Sequence, residues 1–310
     1  MPDPALLLAL LATLLAVGAL ALALSERKRS ASLRRRQRRL TARVGFLEAL
    51  LRPAWEDRVR RDLDRDGVRP RLPVHCRAQH AEDILLYELF EGAREGFFIE
   101  VGAYDGFSHA TTYLLESIGW SGLLVEALPE RAEQARRCRP ASHVVHAALG
   151  KRGSSGTTTL TRFADPEGTD ELSSYIADIG GDAPRPSGEH AQSIQVPLTT
   201  MDALLDELGR DQAPVDLAVI DVEGGEIDLL DGFDLDRFRP RAILIEDHVG
   251  GDHSPNRMAL VARGYADAGW ISFNRLMVRK DEPELLLRAR SLLYTTDSGR
   301  MPPEPVPSLA

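Results

Sequence analysis

The chain has 310 residues, 43% of them hydrophobic, which is enough to bury the core of one α/β domain. Its formal net charge of −9 at pH 7 argues against nucleic acid as a substrate. The two cysteines, Cys76 and Cys138, lie far apart and share no metal-ligand spacing with histidine. This usage argues against a disulfide framework and predicts free thiols in a reducing compartment.

An uncharged apolar segment covers Ala5 to Leu24, close to the N-terminus. It is long enough to cross the ~30 Å hydrocarbon core of a bilayer as a helix. Nine basic residues follow it between Ser25 and Arg43, whereas none precedes it. Because a signal peptide needs basic residues before its apolar segment, this order predicts a single-pass membrane anchor whose C-terminal side is cytoplasmic. The pair Ala21 and Ala23 leaves a cleaved leader as the alternative.

Composition divides the chain into four predicted parts. Residues 1–24 form the anchor, and residues 25–74 form a basic juxtamembrane segment followed by a charged helical stalk. Residues 75–292 form the main domain, and the Pro-rich residues 293–310 are predicted to be a disordered tail. The basic segment is expected to bind anionic lipid headgroups rather than nucleic acid, because it directly follows the apolar segment.

The segment Phe97–Gly106 predicts a buried strand that runs into an acidic glycine turn, and Ser108 is predicted to cap the helix that follows. A strand, a glycine turn and a helix N-terminus form a nucleotide-binding corner, because unsatisfied N–H groups and open backbone face the ligand. Glu100 and Asp105 would repel a pyrophosphate, but they suit the ammonium, sulfonium and ribose hydroxyls of S-adenosylmethionine (SAM). Tyr104 also occupies the second glycine position of the dinucleotide fingerprint, which argues against NAD.

Four further strands are predicted after this corner. In chain order they are Ser121–Glu126, His143–Leu149, Val215–Ile220 and Arg241–Ile245. Glu126 lies 26 residues after Glu100, near the position at which an acid binds ribose hydroxyls in a βαβ unit. Ala147, near the end of the third of the five strands, is expected beside an adenine ring. Because the C-terminal ends of parallel strands meet at one edge of a sheet, the polar residues after these strands predict a site there.

Several segments together resemble the FkbM-type methyltransferases, a SAM-dependent family with a doubly wound, mostly parallel α/β sheet of the class I, Rossmann-like type. These segments are Ala78–Asp83, Glu100–Gly106, Gly119–Glu126, Ile220–Gly224 with Glu226, and Ile245–Glu246. The resemblance covers residues 79–279 and implies methyl transfer to an oxygen, usually a hydroxyl of a sugar or natural product. Two positions depart from the family pattern: Glu100 stands where Asp is frequent, and Ala127 where Pro is common. Both changes leave the carboxylates in place.

The candidate cofactor-binding residues come from the glycine corner, from the ends of the next two strands and, through the resemblance, from the segment before the first strand. They are Gln79, Glu82, Asp83, Glu100, Gly102, Ala103, Tyr104, Asp105, Gly106, Glu126 and Ala147. For the first three, helix capping and packing is the alternative role.

Methyl transfer requires an acceptor oxygen held in line with the methyl group and a base for its proton. Asp221 is the first candidate for this base, followed by Glu223, Glu246 and His248. A Mg²⁺-dependent variant is an alternative, although no tight ligand spacing supports it. Its hard ligands would be Asp221, Glu246, Asp247, His248 and His253. A membrane-tethered binding module without activity is the other alternative. If the protein is an enzyme, the predicted anchor favours a lipid-linked or membrane-delivered acceptor.

The segment Lys151–Gln195 is rich in Gly, Ser, Thr, Asp and Pro and is predicted to be a long irregular loop. A loop of this length inside a compact domain is functional or disordered. By resemblance, Ser173 and Ser174 would face the acceptor. Thr200 lies in a capping sequence that predicts a short helix ending at Leu208.

Overall fold

The computed structural model describes residues 50–163, 174–176, 191–210 and 213–293, and it divides after Ala54 into two units. In the first unit the described residues, 50–54, are helical. All elements below belong to the second unit. The predicted anchor and basic segment lie outside the described residues, as does the tail from residue 294. Within the described part of the chain, no helix is both long enough and apolar enough to cross a membrane.

A seven-stranded sheet forms the centre of the second unit, and its order is β10-β11-β9-β8-β1-β2-β3. Its parallel strands are β1 (Phe97–Val101), β2 (Ser121–Glu126), β3 (His143–His146), β8 (Leu217–Ile220) and β9 (Ala242–Glu246). The antiparallel strands are β10 (Tyr265–Ile271) and β11 (Asn274–Arg279). The chain order reverses at β1, which lies between β2 and β8, so a ligand crevice is expected at the C-terminal end of β1.

Helices cover both faces of this sheet. They are α1 (residues 55–65), α2 (Glu82–Leu89), α3 (Tyr113–Ile118), α4 (Pro129–Cys138), α5 (Met201–Glu207), α6 (Glu226–Asp231), α7 (Leu235–Phe238), α8 (Pro255–Ala262) and α9 (Pro283–Leu292). Along β1, Phe98 packs in one apolar cluster while Ile99 packs in another, and Leu124 and Leu123 of β2 divide in the same way. Since both faces are buried, the strands carry the continuous apolar sequence from which they were predicted.

A second sheet has four strands in the order β4-β7-β5-β6. The strands are β4 (Ala148–Leu149), β5 (Gly156–Phe163), β6 (Ser174–Ile176) and β7 (Ala191–Thr199). The prediction of one irregular loop over Lys151–Gln195 is therefore wrong for its described parts. Ser174 lies in β6, whereas Ser173 lies outside the described residues. The single strand predicted over His143–Leu149 is also wrong, because it is divided between the two sheets at Ala147.

Two local predictions before β2 need correction. Within the second unit, residues 55–74 of the predicted stalk are not separate from the main domain, because Val59 and Leu63 of α1 are buried in the same cluster as Leu86 of α2. Ser108 does not cap a helix, since α3 begins only at Tyr113. The Ser108 N–H instead donates to the Asp105 side chain at 2.6 Å, which holds the turn after β1. The helix predicted after Thr200 is confirmed, and the Thr200 hydroxyl accepts from the N–H of Ala203 at 3.2 Å.

Candidate functional site

One cavity lies at the C-terminal ends of β1, β2, β8 and β9, where the sequence predicted a site. The predicted site residues that line it are Gln79, Glu82, Glu100, Gly102, Ala103, Tyr104, Glu126, Ala147, Asp221, Glu223 and Glu246. Asp83, Asp105, Gly106 and His248 are outside its lining. The strand ends thus bring together most of the residues that the sequence singled out.

The glycine corner is fixed by the ends of three strands. The N–H groups of Gly102 and Ala103 both donate to the carbonyl of Val125, at 3.0 and 3.2 Å, and the N–H of Asp221 donates to Val101 at 3.1 Å. Gly102 has φ +83, and a Cβ added to it would meet the backbone oxygen of Asp221. The close approach of β1 and β8 therefore requires glycine at this position.

Glu126 ends β2 and is buried at the cavity wall. Its two carboxylate oxygens accept backbone N–H groups, from Tyr104 at 2.8 Å and from Leu128 at 2.8 Å. Burial raises the pKa of Glu126 to about 7, against the lowering effect of these hydrogen bonds. Because each oxygen can accept a second hydrogen bond, the carboxylate can also receive hydroxyl donors from a ligand.

Glu100 lines the same cavity but also belongs to a buried ion-pair network. Its carboxylate accepts from the N–H of Thr111 at 2.8 Å and from the hydroxyl of Thr112 at 2.5 Å. The guanidinium of Arg139 lies 3.3 Å from Glu100 and 2.7 Å from Glu116, and it is completely buried. Sequence analysis missed Arg139, because nothing in the basic stretch around it distinguishes a buried arginine from its exposed neighbours.

Three predicted cofactor ligands have structural partners away from the cavity. The buried carboxylate of Asp83 accepts the N–H groups of Arg77, Ala78 and Ile84, and burial raises its pKa to about 6. The carboxylate of Asp105 accepts two N–H groups in its own turn. Gly106 packs against α4, where an added Cβ would lie 3.0 Å from the Cα of Ala135. These contacts favour the capping and packing role for Asp83 and give the other two residues structural roles.

Gln79 and Glu82 remain at the cavity, where Glu82 bridges two elements. One oxygen of Glu82 accepts from the N–H of His80 at 2.7 Å, and the other accepts from the Asn274 side-chain amide at 3.0 Å. Asn274 also lines the cavity and begins β11. Asn274 could not be predicted as a site residue, since its contact with Glu82 joins residues 192 positions apart.

The four predicted catalytic residues form one cluster at the ends of β8 and β9. Carboxylate oxygens of Glu223 and Glu246 and a ring nitrogen of His248 lie within 4.8 Å of one another, and His248 Nε2 is 2.8 Å from Glu246 Oε1. Asp221 and Glu246 line the same cavity and interact strongly. Desolvation raises the pKa of both, and the charge of Asp221 raises that of Glu246 further, so one of the two carboxyls carries a proton.

Glu223 contributes a third carboxyl to this cluster. Burial and, to a lesser extent, the charges of Asp221 and Glu226 together raise its pKa to about 7. Its backbone has φ +54, an uncommon conformation for a residue with a side chain. Such conformations concentrate at functional sites, where surrounding structure holds them. The four catalytic candidates were predicted as a group, and the structure brings them together.

A family model of the methyltransferase FkbM domain matches residues 100–266, more than half of the chain. The chain belongs to the FkbM methyltransferase family. The resemblance predicted from the sequence is thereby confirmed, and this FkbM methyltransferase is an enzyme that uses SAM as its methyl donor. No curated protein sequence matches the chain significantly.

Among solved structures, three methyltransferases resemble this FkbM methyltransferase. An O-methyltransferase from Bacillus cereus in complex with SAH is 14% identical, with a TM-score of 0.40 over 77% of this chain and 97% of that one. A TehB-like SAM-dependent methyltransferase from Corynebacterium glutamicum is 12% identical, with a TM-score of 0.34 over 73% and 97%. A SAM-dependent methyltransferase from Aquifex aeolicus is 10% identical, with a TM-score of 0.31 over 64% and 88%. With TM-scores below 0.5, none of these likenesses bears on the activity.

The cavity of this FkbM methyltransferase fits SAM. Glu126 would accept ribose hydroxyls with its carboxylate oxygens, beside the turn from Gly102 to Tyr104 that lines the same cavity. Ala147, Leu149 and Leu160 line the cavity as an apolar wall, which would suit the adenine. Leu160 comes from β5 of the second sheet, and sequence analysis missed it because its segment was predicted to be a loop.

The alternative Mg²⁺ ligand set is not the one that the structure assembles. Asp247 forms an ion pair with the buried guanidinium of Arg275, at 2.9 Å, because it follows Glu246 on the opposite side of the strand end. His253 is not part of the cluster that holds Glu246 and His248, whereas Glu223 is. The predicted ligands Asp247 and His253 are therefore wrong for this cluster.

Proposed function

We propose that this FkbM methyltransferase methylates a hydroxyl oxygen and that the carboxyl pair of Asp221 and Glu246 accepts the hydroxyl proton. The observation that supports the proposal is the position of these two interacting carboxyls in the lining of the cavity that also contains the SAM corner. The pair holds one proton, so its ionised member can accept a hydrogen bond from an acceptor hydroxyl.

SAM, when bound, would supply an electrophilic methyl group: the acceptor oxygen would form the new C–O bond as the S–C bond breaks, and the electrons of the S–C bond would stay on sulfur. The carboxyl pair orients the hydroxyl by accepting its hydrogen bond and then takes the proton as the bond forms. Afterwards both carboxyls are protonated, and the negative charge of the pair has neutralised the positive charge that the donor brought. The position of both carboxyls in the cavity, with the Glu246 side chain only 11% exposed, strengthens this electrostatic effect.

The rival proposal is a binding module that has kept the fold without activity. Incubation of the full chain with radiolabelled SAM and a broad panel of hydroxylated acceptors discriminates between them. We expect label on a hydroxyl oxygen with the wild type, and a loss of transfer with Asp221→Asn at unchanged SAM affinity. If the wild type binds SAM but labels no acceptor in the panel, the binding module is favoured.

A cation-assisted reaction is a second candidate, favoured by the grouping of Glu223, Glu246 and His248. Two carboxylates and an imidazole are suitable ligands for Mg²⁺ or Mn²⁺, and a bound cation would lower the pKa of the acceptor hydroxyl. Calorimetry with Mg²⁺ alone, together with transfer assays in EDTA, separates the candidates. Full transfer in EDTA favours the carboxyl pair, whereas loss of transfer and rescue by Mg²⁺ favours the cation.

The location of the protein is a separate proposal. The apolar segment Ala5–Leu24 and the nine basic residues after it support a single-pass anchor with the catalytic domain on the cytoplasmic side, beside lipid-linked or membrane-delivered acceptors. Protease protection on intact spheroplasts tests it. We expect the domain to resist external protease, and digestion from outside would overturn the proposed topology.

A further inference from the structure

The hairpin that joins β10 and β11 presents an aromatic ring at its tip. Ile271 pairs with Asn274, so only Ser272 and Phe273 form the turn. Ser272 adopts φ +55, a conformation that this kind of two-residue turn normally assigns to glycine. The carbonyl of Phe273 accepts the N–H of Asp247 at 2.9 Å, which holds the tip against the end of β9. Phe273 is nonetheless 53% exposed.

Two imidazoles stand beside this ring, and the three rings form what we call the aromatic strip: His80, Phe273 and His248. The ring centroid of Phe273 is 5.7 Å from that of His248 and 6.0 Å from that of His80. The strip borders the cavity, because its members are chain neighbours of lining residues: Gln79 precedes His80, and Asn274 follows Phe273. At the other end, His248 contacts the catalytic carboxyl of Glu246 at 2.8 Å.

We propose that the aromatic strip binds the methyl acceptor and that this acceptor is an uncharged, hydroxylated ring that stacks on Phe273. This inference rests on the proposed methylation of a hydroxyl at Asp221 and Glu246. An exposed aromatic face removes the C–H face of such a ring from water, while hydroxyls at the ring edge are left free to donate hydrogen bonds. His248 contacts both Phe273 and Glu246, so it connects this stacking surface to the catalytic carboxyls.

The charges around the cavity select against an anionic acceptor. Asp221, Glu223, Glu246 and Glu82 all line it, so a phosphate or carboxylate on the ring would approach several acidic groups. Hydroxyl groups instead find carboxylate acceptors there. Stacking and hydroxyl recognition together are what a neutral sugar ring offers, so neutral glycosides are the probes to use.

The test uses the full chain, radiolabelled SAM and a panel of methyl glycosides of neutral hexoses and deoxyhexoses, together with glucuronate and hexose phosphate counterparts. We expect transfer to neutral glycosides in preference to their anionic counterparts. Phe273→Ala should lower kcat/KM for the best neutral glycoside about 10-fold, mainly through KM, the loss expected for about 1.4 kcal/mol of stacking. Phe273→Trp should restore the activity, because it restores an aromatic face. Calorimetry should give the same SAM affinity for every variant.

Met258→Ala is the matched control, because Met258 on α8 is 56% exposed and lies outside the strip. Phe273→Leu keeps an apolar side chain without the ring, so it should resemble Phe273→Ala if stacking matters. If the wild type is active and Phe273→Ala has an unchanged KM for the acceptor, the aromatic strip does not bind the acceptor. The proposed function would be unaffected by that result. A preference for the anionic counterparts would overturn the uncharged acceptor. A wild type that binds SAM but methylates no hydroxyl would overturn both proposals.

Discussion

A Cβ atom on Gly102 would lie 1.9 Å from the backbone oxygen of Asp221. This contact couples the cofactor corner at the end of β1 to the catalytic residue at the end of β8. Gly102→Ala should therefore push the two strand ends apart and weaken both folding and SAM binding. Gly153→Ala is a close control, because Gly153 has the same φ of +83 and no atom within 4 Å of an added Cβ.

For this pair of variants, urea unfolding and SAM calorimetry give the readout. Gly153→Ala should lower the free energy of unfolding by about 1–2 kcal/mol, which is the backbone cost alone. Gly102→Ala should lower it further and abolish measurable SAM binding. Equal losses in the two variants would show that the close approach to Asp221 has no energetic consequence.

Arg139 is completely buried, whereas Arg137, two residues before it, is exposed. Removing Arg139 leaves the buried carboxylates of Glu100 and Glu116 without their cation, so Arg139→Met should destabilise the protein by about 3–5 kcal/mol. Arg137 is exposed and lies 3.9 Å from Glu133, so Arg137→Met should cost less than about 1 kcal/mol. Chemical unfolding measures both, and comparable losses would contradict the importance of the buried network.

The affinity for SAM should depend on pH through Glu126. Its pKa is about 7, and a ribose hydroxyl donates more readily to the ionised carboxylate, so SAM binding should strengthen as pH rises through 7. At pH 6 only about a tenth of the carboxyl is ionised, which predicts affinity about 10-fold weaker than the plateau. Calorimetry between pH 6 and 7.5 checks this. Glu126→Gln should bind more weakly and lose the pH dependence, and an unchanged slope in that variant would assign the effect to another group.

Substitutions in the carboxyl pair should lower the catalytic rate without changing the affinity for SAM. Asp221→Asn and Glu246→Gln each remove a proton acceptor without removing the SAM corner, so each should lower kcat at least 100-fold. The SAM affinity should stay within a few fold of the wild type, because each variant is nearly isosteric. Asp228→Asn on α6 is the control for removing a negative charge nearby, and it should keep full activity. A similar loss in Asp228→Asn would indicate a general charge effect.

The central sheet could be predicted because its strands are buried on both faces. Residues 123–125 of β2 and 217–220 of β8 are apolar throughout, and the acid that follows each of these segments falls at the same edge of the sheet. This apolar pattern can be recognised without knowledge of distant contacts. It is why Asp221, Glu246 and Glu126 could be placed together from the sequence.

The rest depends on contacts between distant residues. Strand β5 contains Gly156-Thr157-Thr158-Thr159, a polar sequence whose structure comes from pairing with β7 some 40 positions later. Phe273 could not be predicted as a binding residue, because its sequence neighbours do not show which rings the fold places beside it. Asp247 and Glu246 adjoin in sequence, but only the position of Arg275 reveals that they face different surroundings.

The pairing of β4 with β7 has a consequence for how this enzyme can change. Ala148 lies opposite Leu198 and Leu149 opposite Thr199, so the chain enters and leaves the second sheet at neighbouring points. A change in the length of the segment between these two strands therefore need not move the strand ends that hold Glu126 and Asp221. Leu160 of this segment lines the cavity, so a change in its sequence would reach the site through the cavity wall.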